Sequence, residues 1–368
     1  MSKILSQGGY GCVYYPGIKC NGNTNPDQHV VTKLQKNDDT AQNEIAIGEM
    51  IKKITNFNSY FIPVVKNCEI NLSQIDHNVL EKCKVITPSE DINYIIMDLP
   101  YINGVEFFDF MTALTTKKSI IFNLLETFQY LLVGLEYLLI VKVVHFDLKG
   151  QNILYNNEIK LPVIIDFGLS FNIEQITDAN IEQYFYIYAP DYYLWPMEVH
   201  FINYLLHKSN GSLSEEHISE IIQRSVDNNV IFEIFSDNFK TEYINAAKEF
   251  FQQFVNQPKK NIIDSLLTYY KTWDNYALSI MYLKILDYVF SEGFHENKLI
   301  IYFSQLLLFN ISFDPNKRLT LEETTTRFKK IFFFEDNESE FHSLIKRFNY
   351  NSDLITKKNS EDILKTTP

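Results

Sequence analysis

Residues 145–168 bring two carboxylates, a cation and an amide close together in the chain. His145-Phe146-Asp147-Leu148-Lys149-Gly150-Gln151-Asn152 follows an apolar stretch, and Asp166-Phe167-Gly168 follows the apolar run Val163-Ile164-Ile165. Phosphoryl transfer needs such a set. A carboxylate must accept or orient a hydroxyl proton, a cation must cover the γ-phosphate, and two oxygen ligands must hold Mg²⁺. Asp-Phe-Gly alone is a weak signal, since acids on unrelated loops are common. The order and spacing, with a strand between, make chance placement of the whole set improbable.

Those groups need a scaffold, and the hydrophobic pattern supplies one. Residues 3–36 predict strands around a glycine-rich turn, with Cys12-Val13-Tyr14-Tyr15 and His29-Val30-Val31-Thr32 as the β-branched and aromatic segments. Residues 40–55 predict a helix whose Ile47, Ile51 and Ile54 share one stripe with Glu44. Tyr94-Ile95-Ile96-Met97 reads as a short buried strand ended by Pro100, and residues 118–141 as a strongly apolar helix. From about residue 200 the pattern is mostly helical. A strand-rich part thus precedes a helix-rich part, which implies an α+β fold with the break near residue 100. After Phe348 periodicity fades and the chain turns polar.

The catalytic set resembles the H-R-D-L-K-x-x-N loop and D-F-G motif of protein kinases. The resemblance implies a two-lobed fold: a small β-rich lobe at 1–100, a larger helical lobe at 101–335, and a polar tail at 336–368. It implies ATP and Mg²⁺ as cofactors and protein substrates with serine or threonine acceptors. In that likeness Asp147 is the catalytic base, Lys149 contacts phosphate, and Asn152 and Asp166 hold the metal. Lysine two places after the base is the serine/threonine pattern. Ser6-Gln7-Gly8-Gly9-Tyr10-Gly11-Cys12-Val13 resembles the phosphate-binding glycine loop, with serine in the first glycine position. Lys33 resembles the strand lysine on the α- and β-phosphates. Its helix partner is Glu44 or Glu49; Glu44 is preferred because it shares the apolar stripe, whereas Glu49 would bring Lys52 and Lys53 inward. Gly48 departs from the bulky core residue usual there. Met97 resembles the gatekeeper, with Asp98 beside it on the hinge. Pro100 then falls where the family donates a backbone N–H, which proline lacks. Leu5, Val13 and Leu154 would sandwich adenine.

Two further motifs fit the same likeness. Trp273-Asp274-Asn275-Tyr276-Ala277-Leu278-Ser279 resembles the helix start whose acid, here Asp274, steadies the catalytic loop. Asp314-Pro315-Asn316-Lys317-Arg318-Leu319 resembles D-P-x-x-R, whose arginine pairs with the acid ending the activation segment. Asp191, in Ala189-Pro190-Asp191, matches that acid better; Glu198, in Trp195-Pro196-Met197-Glu198, is the alternative. Phe146 replaces the arginine that in the family reads activation-loop phosphate, and residues 169–188 hold no Lys or Arg. Activity independent of phosphorylation there is the expectation. Asp191 and Asp274 lie 83 positions apart, which predicts a helical insert at about 200–270 packed on the large lobe. The insert and the Asn/Ile-rich composition are similar to serine/threonine kinases of large DNA viruses of protists.

A net charge of −13 argues against nucleic acid or anionic membrane as a bulk partner. No apolar run reaches the length of a membrane span, and the N-terminus carries no apolar stretch of the signal-peptide kind. Cys12, Cys20, Cys68 and Cys83 form no C-x-x-C pair and read as free thiols of a reducing compartment, consistent with the cytoplasm, or with host cytoplasm or virion for a viral protein. A pseudokinase scaffold is the rival from another class, disfavoured because every catalytic position is filled. Small-molecule kinases share the H-x-D…N loop but generally lack the D-F-G, A-P-E-like and D-P-x-x-R motifs.

Overall fold

The computed structural model describes residues 2–86, 92–209, 211–291 and 298–333. The tail at 336–368 lies outside the described residues. In the first third of the chain lie β1 (Lys3–Gln7), β2 (Gly11–Tyr15), β3 (Val30–Lys36), α1 (Asp39–Ile51), β4 (Phe61–Ile62), β5 (Lys66–Ile70), α2 (His77–Leu80), β6 (Tyr94–Pro100) and β7 (Gly104–Glu106). Next come α3 (Phe107–Thr112), α4 (Lys117–Ile140), β8 (Val143–Val144), β9 (Ile153–Asn156), β10 (Leu161–Ile165) and β11 (Phe171–Asn172). The rest is helical: α5 (Ile181–Tyr184), α6 (Met197–His207), α7 (Glu215–Asp227), α8 (Asp237–Phe251), α9 (Lys259–Leu267), α10 (Trp273–Ser291), α11 (Lys298–Asn310) and α12 (Leu321–Phe333). The chain forms two compact units. One comprises Met1–Phe107, Tyr137–Asp147 and Gln151–Gln175; the other comprises Phe108–Glu136, Leu148–Gly150 and Ile176–Pro368.

The first unit is built on an antiparallel sheet of order β1-β2-β3-β6-β5, with smaller sheets β4-β10-β9-β7 and β11-β8. Side-chain alternation divides the main sheet's residues between two apolar clusters. Cys12, Tyr14, Leu34, Tyr94 and Ile96 join Ile70, Leu72, Ile75, Val79 and Leu80 in one. Val31, Met97 and Leu99 join Ile62, Val64 and Val163 in the other. Lys33 has the parity of Val31 and lies on that second face.

Helix α1 starts where Asp38 caps the Ala41 N–H at 3.1 Å. It ends at Ile51, short of the expected 55, because the chain tightens: Lys53 and Ile54 N–H bond the carbonyls of Met50 and Ile51. Asn56 then turns left-handed at φ 58°. Gly48 has a packing reason. A Cβ there would sit 3.0 Å from the Val64 carbonyl oxygen, so the helix approaches the β4–β5 connection too closely for a larger residue.

The cysteines correct the expectation of free thiols. Cys12 bonds Cys83 and Cys20 bonds Cys68, which leaves none free. One bridge ties β2 to the segment after α2 that packs over the sheet, and the other ties the β2–β3 connection to the edge strand β5. Partners 71 and 48 positions apart carry no spacing signature, because tertiary packing and not sequence proximity brings them together. The inference from free thiols to a reducing compartment falls with them. Reduction, or Cys83→Ser, is expected to destabilise the protein by about 2–4 kcal/mol through the freed unfolded chain. Melting with and without dithiothreitol measures it, and unreduced, denatured protein should release no thiol to Ellman's reagent.

In the second unit, α10, α11 and α12 pack around aromatic rings. Phe128 of α4 meets Tyr282, Phe303 and Phe328 at 4.8, 4.9 and 5.3 Å. A buried polar network, Asn275–Thr324–Asn310–Ser279, links the same three helices with bonds of 2.9, 3.1 and 3.1 Å. The helices expected at 200–270 form as α6–α9, with Ile218, Ile221 and Ile222 of α7 buried. No helix among the described residues is long and apolar enough to cross a membrane.

His200 of α6 is fully buried, and burial pushes its imidazole down to about 4. An unfolded histidine titrates near 6.5, so below that pH the unfolded chain takes a proton that the fold refuses. Stability is complete above the unfolded value and is lost as pH falls toward 4. The expected loss from this residue between pH 7 and pH 5 is about 2 kcal/mol, read from urea midpoints, and His200→Gln should flatten that slope.

Candidate active site

Lys33 stands in the middle of β3, where strand periodicity turns it toward α1. Its Nζ lies 2.7 Å from Glu44 Oε2 and 3.2 Å from Asp166 Oδ1. The structure thus selects Glu44; Glu49 is exposed and pairs with Lys52 on its own helix. Burial alone would push the Lys33 ammonium down, but the two carboxylates hold it above its ordinary value, so it is charged at neutral pH. Burial would likewise raise Asp166. The Lys33 ammonium, His145 and the Gly168 N–H outweigh it and hold the carboxyl below the usual range. Asp166 keeps 47% of its side chain open to solvent, so an ionised oxygen remains accessible.

Phe146, just before the loop aspartate, and Asp166 both adopt left-handed backbone, at φ 67° and φ 61°. Such conformations persist only where surroundings over-determine them. The β8–β11 pair closes the stretch, with Phe171 opposite Val144. Phe146 is buried edge-on to Phe171 at 5.0 Å. An apolar side chain suits that pocket, which accounts for the absence of an arginine. His145 Nε2 lies 3.1 Å from the Ile165 carbonyl, and Ser170 Oγ donates to the His145 carbonyl at 3.0 Å.

Asp147 is 7% exposed, and Asn152 Nδ2 donates to both its carbonyl and its Oδ2, at 2.8 and 2.9 Å. A short 3₁₀ turn, Gly150–Asn152, carries the amide back onto the loop. Lys149 lies half-buried on the stretch grouped with the second unit.

Ser6, Gly8, Gly9 and Tyr10 are exposed around the β1–β2 turn, closed by Gly8 N–H to the Gly11 carbonyl at 3.0 Å. A Cβ at Gly8 or Gly9 would meet nothing within 4 Å, whereas one at Gly11 would strike the Leu34 carbonyl oxygen at 2.3 Å. Gly11 is therefore explained by the sheet, and Gly8 and Gly9 leave open space above bare backbone. Val13 and Leu154 pack against the cluster that buries Met97. Leu5 sits at a register shift in β1 and is 55% exposed. Asp98 faces the opposite side of β6. Its carboxylate accepts from Thr32 Oγ1 at 3.1 Å and its carbonyl from Val65 N–H at 2.9 Å, so this side chain serves the sheet. Pro100 ends β6 as expected.

The buried pair in the second unit corrects one expectation. Arg318 binds Glu198, not Asp191. Nη1 and Nη2 donate to Oε1 and Oε2 at 2.7 and 2.5 Å, with both side chains at 0% exposure. Asp191 is exposed on the preceding loop. Glu198 lies in the first turn of α6, right after Pro196, where a helix start favours an acid. Arg318 also donates to the Ser312 carbonyl and Thr272 Oγ1, and Trp273 Nε1 donates to Glu198 at 2.9 Å. Asp274 opens α10 and is buried.

Sequence reasoning missed Asn43, whose Nδ2 donates to the Ser170 carbonyl at 2.7 Å and links α1 to the segment after Gly168. It also missed the indole of Trp273 as a support for Glu198. The order Pro196-Met197-Glu198 was the available signal for the second acid.

The family model described as Protein kinase domain matches residues 2–193. A stretch of 104 residues, 27% of this chain, is 36% identical to human Death-associated protein kinase 2. The match spans about a quarter of that relative's length, 26%.

Proposed function

Because the chain belongs to the protein kinase family, we propose that it is an active enzyme transferring the γ-phosphate of ATP to serine or threonine hydroxyls of protein substrates. One observation carries this reading: Lys33, Glu44 and Asp166 form a continuous ionic chain at 2.7 and 3.2 Å within one compact unit. A charged lysine fixed beside a solvent-open carboxylate supports turnover over a scaffold that binds only partners.

The residues present fit ATP and Mg²⁺. Gly8 and Gly9 leave room for phosphate close to bare backbone, and Lys33 offers a fixed cation. Asp166 and Asn152 offer oxygen ligands. Among the described residues no group of three His, Cys, Asp or Glu could hold a metal alone, and Mg²⁺ ordinarily completes its shell with phosphate and water. When bound, the metal would neutralise charge developing on the phosphates. Asp147, held by Asn152, would orient the acceptor hydroxyl and take its proton. The choice of serine or threonine rests on Lys149.

Phosphorylation of a peptide array by the purified chain with Mg-ATP tests the proposal. Label on Ser/Thr peptides, lost when Mg²⁺ is chelated, is expected. No transfer to any peptide overturns the catalytic reading, and exclusive phosphotyrosine overturns the acceptor class.

A further inference from the structure

The stretch beyond Asp166-Phe167-Gly168 contains no Lys or Arg from 169 to 207, yet residues 176–188 are held at several points within the second unit. Phe185, just past α5, is fully buried edge-on to Trp273 at 5.8 Å, and Ile181 at the start of α5 is buried as well. The Phe185 carbonyl lies 2.5 Å from His207 Nε2 at the end of α6. A carbonyl only accepts, so Nε2 carries the proton. Tyr188 stands edge-on to Tyr204 of α6 at 5.4 Å. Both carboxylate oxygens of Asp178 lie against Lys260 Nζ of α9, at 2.6 and 2.7 Å. Lys260 also faces Asp264 on its own helix at 3.6 Å.

We propose that the helical insert is a built-in clamp for residues 176–188, with His207 and Lys260 as positioning residues that keep this segment ordered without phosphorylation. The proposal rests on the reading of the chain as an active kinase. The exposed Lys260–Asp178 pair alone would be too weak to order a loop. Burial of the Phe185 ring against Trp273 of α10, just beyond the insert, supplies the larger share of the order, and the two polar contacts from the insert fix where along α6 and α9 the segment lies. The cation that would otherwise read an added phosphate comes here from the insert and meets a carboxylate already encoded in the chain.

Hydrogen exchange of the full chain, alongside peptide phosphorylation kinetics, tests this. In the double variant His207→Leu/Lys260→Glu, amides of 178–188 should exchange about tenfold faster and peptide kcat/KM should fall about tenfold, with the KM for ATP unchanged. The charge swap Asp178→Lys/Lys260→Glu should recover most of what Lys260→Glu alone loses. Phosphatase-treated wild type should keep its activity. Unchanged exchange and kcat/KM in the double variant, no recovery in the swap, or inactivation by phosphatase would each overturn the clamp. If wild type transfers no phosphate, the kinase reading fails, and the exchange measurements still decide whether the insert holds the segment.

Discussion

Asp147→Asn is expected to slow peptide phosphorylation by about 10²–10⁴-fold while leaving the protein folded, since a positioned general base contributes that much. The substitution keeps shape and removes only the negative charge. Asn152 Nδ2 donates to Asp147 Oδ2 at 2.9 Å, and an asparagine amide oxygen can accept the same bond. The second bond, to the Asp147 carbonyl at 2.8 Å, involves backbone and is untouched. Melting should therefore match wild type, and so should the thermal shift with Mg-ATP, because Lys33, Asn152 and Asp166 remain. Equal rates in the variant and wild type would assign any measured transfer to a contaminant and favour a scaffold without turnover.

Arg318→Met should cost about 3–5 kcal/mol of stability, because it strands the Glu198 carboxylate in a site closed to water. Glu198 would keep the Trp273 N–H at 2.9 Å and lose two guanidinium donors. Glu198→Leu alone should be comparably harmful, leaving a buried guanidinium with the Ser312 carbonyl and Thr272 as its remaining partners. The double variant Glu198→Leu/Arg318→Met should recover much of the loss, since a well-packed apolar pair often replaces a buried ion pair at little cost. Urea unfolding measures all three. Asp191→Asn is the control and should lie within about 0.5 kcal/mol of wild type, as exposed substitutions do.

What could be read in advance depended on how local each signal was. Lys33, Asp147, Asn152 and Asp166 lie in short motifs whose spacing is fixed by one strand or one loop, and the structure brings Lys33 and Asp166 together as those motifs imply. Glu44 was legible because helical periodicity put it on the buried stripe and placed Glu49 off it. The Arg318 partner was not settled. Asp191 and Glu198 are both acids after a proline, and only burial, a tertiary property, separates them. The disulfides were misread for the same reason: Cys12 and Cys83 meet across a cover laid over the sheet, and nothing in their spacing reports that layer. Asp98 illustrates a third limit. Sequence places it beside Met97, but strand alternation turns its side chain to the opposite face, onto Thr32.

The left-handed backbone at Phe146 and Asp166 bears on how any mutational scan of this chain should be designed. A valine or isoleucine at either position would add a backbone penalty of about 1–3 kcal/mol before any side-chain chemistry is lost. An inactive variant of that kind would report a misplaced loop and say nothing about proton transfer or metal binding. Asparagine tolerates the conformation, so Asp166→Asn isolates the charge. At position 146 glycine would relax the backbone and delete the contact with Phe171, whereas tyrosine would keep most of that contact and the strain. Comparing those two would separate how much of the loop's shape is set by its own torsions and how much by its neighbours.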